Sequence, residues 1–266
     1  MAIELRRRDL FLELPDAVLM DLDNTIYAYD PAHAVAQEAA RRKTMRLLGV
    51  AETEFERAYQ EAKRQVKDQL QQTASAHSRL LYFSRMLEHL GMKSQPLMAL
   101  DLEQTYWRSF LSACTLFPGV KEFLEDLRVA GIPIAAVTDL TSQIQFRKLI
   151  YFGLDHHFDH IVTSEEAGIE KPSPIPFQIA LERLAIATAS RIWFVGDDPQ
   201  KDIKGAKQAI DAIALQKRHA GVAVSAAADA VFDDFSELRG LLKRCRLSAR
   251  RSSLDTHPSS LASHSG

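Results

Sequence analysis

The chemistry-bearing residues of this 266-residue chain fall in four short groups. The first is Asp21-Leu22-Asp23-Asn24-Thr25, the second Thr138-Asp139, and the third Lys171-Pro172. The fourth is Gly196-Asp197-Asp198, with Asp202 shortly after. Aspartates two apart at the end of an extended segment can point to the same side, so Asp21 and Asp23 can both reach one reacting group. Gathered into one volume, so many carboxylates would repel one another and raise each other's pKa. A hard divalent cation relieves that conflict, since Mg2+ takes a few carboxylates while keeping waters and a phosphate oxygen. Each residue alone also has a plainer reading. A strand-end Asp caps the next helix or starts a turn. Thr138 is a buried strand residue or an N-cap, Lys171 an ordinary loop cation, and Asp202 a favourable charge in a helix's first turn. The combination, in this order, is what the plain readings leave unexplained.

The groups converge only if they stand at neighbouring strand ends, and the hydrophobic pattern puts them there. The apolar run 17–20 stops abruptly at Asp21 and reads as a buried strand of a parallel sheet. From Pro31 to about Ala113 the pattern is helical, over 32–48, 52–71, 78–90 and 97–111, punctuated by Gly49, Gly91 and Pro96. After Pro118-Gly119, helices at 120–129, 142–152, 175–184 and 201–210 alternate with strands at 132–137, 160–163, 192–195 and 212–215. That alternation predicts a parallel sheet built from right-handed crossovers. The expected fold is α/β, a Rossmann-like doubly wound sheet with a helical cap inserted after its first strand. The expected division is a core of residues 15–30 and 117–245, a cap of 31–116, and a disordered, Ser-rich tail over 248–266. Ligands of open parallel sheets bind outside the carboxyl ends of the strands, where all four groups stand.

On these motifs the chain resembles the haloacid-dehalogenase-like (HAD) hydrolase superfamily over about residues 15–240. The stretch Ser164-Glu165-Glu166-Ala167-Gly168-Ile169-Glu170-Lys171-Pro172 is similar to that family's approach to its lysine. The resemblance implies Mg2+ and an aspartyl-phosphate intermediate. In it Asp21 is the nucleophile, and Asp23 protonates the leaving alcohol and then activates water. Thr138 hydrogen-bonds a phosphoryl oxygen, with Asp139 beside it at the substrate, and Lys171 offsets the charge of nucleophile and phosphate. Asp197 binds metal with Asp21 and the backbone carbonyl of Asp23, and Asp198 and Asp202 are further metal or water-shell ligands. Dehalogenases of the superfamily lack the second aspartate, so Asp23 points to a phosphatase acting on a small phosphomonoester. The run from Asp21 to Tyr27 further resembles the branch that includes pyrimidine nucleotidases and sugar-acid phosphatases. A phosphomutase on the same fold is the alternative enzyme. A phosphoaspartate signalling module is the non-enzymatic one, although receiver domains place their paired acids before the phosphorylated Asp and carry no helical insertion.

Other features bound the reading. A hydrophobic share of 46%, a charged share of 26% and a net charge of −2 fit an ordinary globular protein with no general attraction to nucleic acid or anionic membrane. Cytoplasm is the expected location, and monomer and homodimer stay open. Cys114 and Cys245 fit no metal or redox spacing. Asp155, His156, His157, Asp159 and His160 match no usual zinc spacing and read as structural. Tyr27 and Tyr29 either pack the junction with the cap or face substrate, and substrate contact is the expectation for Tyr27. Arg79, near His77 and Arg85, either holds an anionic group of the substrate or lies on a solvated helix face. The basic run 243–251 reads as a solubilising end.

Overall fold

A computed structural model describes residues 3–187 and 190–255. One seven-stranded sheet runs in the order β1-β7-β6-β5-β2-β3-β4. Its strands are β1 (Glu4–Leu5), β2 (Ala17–Met20), β3 (Ile134–Thr138), β4 (His160–Thr163), β5 (Ile192–Gly196), β6 (Ile213–Lys217) and β7 (Ala230–Phe232). Every pairing is parallel except that of β1 with β7. β2, β3 and β5 are buried along their whole length, as strands covered on both faces must be. Alternate residues feed two cores. Val18, Met20, Trp193 and Val195 pack toward α5 (Val120–Val129), α6 (Ser142–Phe152) and α10 (Phe235–Asp255). Ala17, Leu19, Ile192 and Phe194 pack toward α8 (Pro174–Arg183) and α9 (Gly205–Ile210). Between these, α7 (Ser164–Ala167) is a single turn after β4.

β2 pairs with β3 on one side and β5 on the other, so the chain order reverses there and a crevice opens at its carboxyl end. Met20 stands level with Ala136 and Val195, and the Asp21 N–H donates to the Val195 carbonyl at 2.9 Å. That register sets Asp21 beside Thr138 and Gly196-Asp197.

Four helices lie between β2 and β3: α1 (Tyr29–Leu48), α2 (Glu52–Leu70), α3 (Arg79–His89) and α4 (Pro96–Ala113). They form the helical cap. Ala32, Ala36, Ala40 and Thr44 make a small-residue stripe on α1, which lets it lie close against α4. α1 ends at Gly49 in the left-handed region (φ 66°), and Pro96 supplies the first turn of α4. The two connections to the sheet pair with each other, through a bridge between Tyr27 and Leu116 and the Phe117 N–H on the Ile26 carbonyl at 2.9 Å.

β1, β7 and α10 have no counterpart among the expected elements, and neither does the single turn α7. β1 and β7 are two and three residues long and exist by pairing with each other and with β6. α10 buries Leu238, Leu241, Leu242 and Cys245 and carries on to Asp255, through the whole of the basic run. It also enters the segment expected as a disordered tail, of which 256–266 lie outside the described residues. A π-helix, Pro199–Lys204, stands where an ordinary helix start was expected. Asp198 caps it, accepting the N–H groups of Gln200 and Lys201 at 2.7 and 2.8 Å. Its wide turn brings the Asp202 carboxylate back onto the Asp197 and Asp198 N–H groups, at 3.1 and 3.0 Å.

Gly196 makes that return possible. A Cβ there would lie 2.6 Å from Asp202 Cβ, Cγ and Oδ2. Gly196→Ala is therefore expected to cost about 1–3 kcal/mol in urea unfolding, as overpacking does, and to displace Asp202. Unchanged stability in the alanine variant would contradict this packing.

Candidate active site

At the carboxyl end of β2, Asp21 is almost fully buried between a cation and a hydroxyl. Its Oδ1 accepts from Lys171 Nζ at 2.6 Å and its Oδ2 from the Thr25 hydroxyl at 2.9 Å. Lys171, 3% exposed, also donates to Asp202 Oδ1 at 2.7 Å. Its own loop is tied down by the Lys171 N–H on Asp139 Oδ1 at 3.1 Å, while Lys201 bridges Asp139 and Glu170 at 2.8 and 3.0 Å. Asp139 thus braces the lysine loop from the end of the neighbouring strand.

Carboxylate oxygens of Asp21, Asp197 and Asp202 lie within 4.8 Å of one another, all buried. Three ionised carboxylates and one ammonium leave two negative charges, which a divalent cation would neutralise. The strain of leaving them unbalanced is visible in the acids. Burial, and beyond it the charges of Asp202 and Asp197, pushes Asp21 well above the usual carboxylate range despite Lys171. Burial and Asp202 push Asp197 up to about 7. Burial alone would lower Lys171, but Asp202 and Asp21 override it and hold the ammonium protonated. An all-oxygen donor set of this kind suits Mg2+. Asp198 is outside the triad; its Oδ1 is committed to the π-helix N-terminus.

Asp23 is held separately. Lys148 Nζ on α6 donates to both of its oxygens, at 2.7 and 2.9 Å, and the Tyr27 hydroxyl donates to Oδ1. Lys148 is 1% exposed and sits 5.5–5.8 Å from the ring centres of Tyr27, Tyr29, Trp107 and Phe110. Thr138 accepts from Gln145 Nε2 at 2.7 Å, and its own hydroxyl meets only the Asp139 carbonyl, at 3.4 Å.

A cavity of about 420 Å3 joins these residues to the cap. Asp21, Asp23, Thr138, Asp139, Lys171, Asp197, Asp198, Asp202 and Arg79 all line it. Tyr27, one of the residues expected at the substrate, does not. It is fully buried and its hydroxyl is spent on Asp23, so it packs the junction while Tyr29 reaches the cavity. Arg79 is not on a solvated face: it is 7% exposed, among the rings of Tyr82, Tyr106 and Trp107. Arg85 pairs with Glu88 on the surface, and Asp159 accepts the Ile134 N–H, a structural use.

Lys148 and Gln145 escaped the sequence reading. Both interrupt the buried stripe of α6 that Ile144, Leu149 and Phe152 define. Polar residues at positions where the helical period demands apolar ones were the available signal.

The description of haloacid dehalogenase-like hydrolases matches residues 15–209. The ribulose-1,5-bisphosphate 5-phosphatase of Halopiger xanaduensis is 42% identical over 71% of this chain and 80% of its own. The glyceraldehyde 3-phosphate phosphatase of Methanopyrus kandleri is 33% identical over 73% of this chain and 80% of its own. The structure of a 2-haloacid dehalogenase from Pseudomonas syringae pv. Tomato DC3000 covers 88% of this chain and 99% of that one, with a TM-score of 0.66 and 26% identity. The chain belongs to the haloacid dehalogenase-like hydrolases. Within that family it is an enzyme of the phosphohydrolase class.

Asp197 gives the site a pH signature. Its folded value of about 7 stands above the ordinary 3.8, so its protonation favours the folded state at low pH. That contribution is lost as pH rises through the folded value, and Asp21 shifts in the same direction. A divalent cation should offset the loss. The Mg2+-induced rise in melting temperature is expected to be larger at about pH 8 than at about pH 5. Equal rises at both would contradict metal binding by these carboxylates.

Proposed function

We propose that the protein hydrolyses a small phosphomonoester with Mg2+, through a phosphorylated Asp21. The observation that carries this reading is the pairing of two differently held carboxylates. Asp21 is locked against Lys171 beside the acidic triad, while Asp23 is gripped by Lys148 and Tyr27 at the same cavity. Relatives named for ribulose bisphosphate and glyceraldehyde 3-phosphate support a sugar phosphate as the substrate class.

Asp21, Asp197 and Asp202, with the backbone carbonyl of Asp23, would hold the metal, and Asp198 would fix the turn that carries Asp202. Bound there, Mg2+ offsets the charge of the transferring phosphate. In the first step an Asp21 oxygen attacks phosphorus in line, the phosphorus–oxygen bond to the substrate breaks, and Asp23 gives its proton to the departing alkoxide. In the second, water attacks the same phosphorus, its proton passes to Asp23, and the bond to Asp21 breaks. Lys148 and Tyr27 fix where Asp23 points. Gln145 occupies an acceptor site of Thr138, whose proton has only the long 3.4 Å contact to the Asp139 carbonyl and can turn to a phosphoryl oxygen. Lys171 compensates charge at Asp21 throughout.

The expected result of Asp21→Asn is a loss of about a thousandfold or more in turnover of p-nitrophenyl phosphate, since an amide is a poor nucleophile. Chelation of the wild type should abolish the same activity and added Mg2+ restore it. Full turnover by the asparagine variant, or by metal-free wild type, would overturn this reading.

A further inference from the structure

Three cap cations line the cavity without an ion pair among the described residues, although the carboxylate of Asp30 lines it too. Lys63 and Lys67 stand one helical turn apart on α2, and Arg79 joins them from the start of α3. Among the described residues, none of the three meets a carboxylate. Arg79 is the most telling. Its guanidinium is buried, with Nη1 on the His77 carbonyl at 2.7 Å and Nη2 on the Tyr29 hydroxyl. Its Nε is buried with no partner at all. A buried charge left without a counter-charge is destabilising, and the fold holds this one at the wall of a cavity.

The local potential is positive enough to mark neighbouring groups. Burial lowers Lys63, and the charges of Lys67 and Arg79 lower it further. Burial, Arg79 and Lys63 bring His33 down to about 4. The reacting phosphate does not account for these cations. It has Lys171 at the sheet end of the cavity, where the acidic triad would also hold a divalent metal, whereas Lys63 and Lys67 come from α2 on the cap side.

We infer that Lys63, Lys67 and Arg79 form a second phosphate subsite, so that the preferred substrate is a bisphosphate with one phosphate at Asp21 and the other under the cap. This rests on the phosphatase reading of Asp21 given above. Three cations match a phosphate dianion better than a single carboxylate, and a cavity of about 420 Å3 is in the range of small-ligand sites. Arg79 supplies a donor held in place by aromatic rings, and the two lysines supply charge.

The test uses the full chain with Mg2+ and three substrates: a pentose 1,5-bisphosphate, the corresponding pentose 5-phosphate, and phosphoglycolate as a phosphorylated acid. Lys63→Met and Lys67→Met are the informative variants, because both side chains reach solvent and Arg79 is buried. Wild type should prefer the bisphosphate. Each variant should lower the bisphosphate-to-monophosphate ratio of kcat/KM about tenfold, mainly through KM, as loss of one charge-assisted contact would. Lys93→Met, exposed in the cap and away from the cavity, should leave the ratio unmoved. A ratio unmoved in the lysine variants would overturn the inference while leaving the phosphatase reading standing. So would a wild-type preference for phosphoglycolate that the same variants remove. No phosphate released by wild type from any of the three, nor from p-nitrophenyl phosphate, would overturn the phosphatase reading and this inference with it.

Discussion

Asp21, Asp197 and Asp202 share one buried volume with a single ammonium, Lys171, and much of the structure serves that crowding. Like charges so close in a poorly solvated place favour protonation. The protein counters with three kinds of compensation. Backbone N–H groups of Asp197 and Asp198 stabilise Asp202. The Thr25 hydroxyl serves Asp21. The remaining charge would suit a divalent cation. The absent Cβ of Gly196, the wide turn after Pro199 and the brace from Asp139 to the lysine loop are consequences of assembling that set from separate strand ends.

The cap adds Lys63, Lys67 and Arg79 to a cavity whose sheet end holds Lys171 among the acids, so an anion meets a cation at either end. Between them lies an aromatic layer of Tyr27, Tyr29, Tyr106, Trp107 and Phe110, which packs around Lys148 and Arg79. Rings tolerate these buried cations through their negative faces. They also keep water from the two groups that set Asp23 and the cap subsite.

Much of this was legible in the sequence, for a physical reason. Fully buried parallel strands leave apolar runs that end abruptly, and the polar residues that follow are forced into one crevice by topology. Hence Asp21, Thr138, Lys171 and Asp197 could be placed from their positions after such runs. What stayed hidden depends on tertiary packing. Lys148 finds Asp23 across 125 positions of the chain, because α6 turns its polar break toward the first loop. Tyr27 reads as a ligand-facing aromatic until the fold spends its hydroxyl on Asp23. β1 and β7 are too short to carry a local signal, and Lys63 and Lys67 look like any polar helix face until α2 is laid over the site.

The central claim is that one of two nearby carboxylates is a nucleophile and the other a proton carrier. The covalent state of Asp21 tests it most directly. In Asp23→Asn the nucleophile and the triad remain, and attack on p-nitrophenyl phosphate needs little help from an acid because its leaving group is already stable. Breakdown of the acyl phosphate still needs a base, so the intermediate should accumulate. Mass spectrometry of the acid-quenched variant, after incubation with p-nitrophenyl phosphate and Mg2+, is predicted to show a gain of one phosphoryl group mapped to Asp21. Phosphate on any other residue, or an Asp23→Asn protein that turns over at the wild-type rate with no covalent phosphate, would contradict the division of roles.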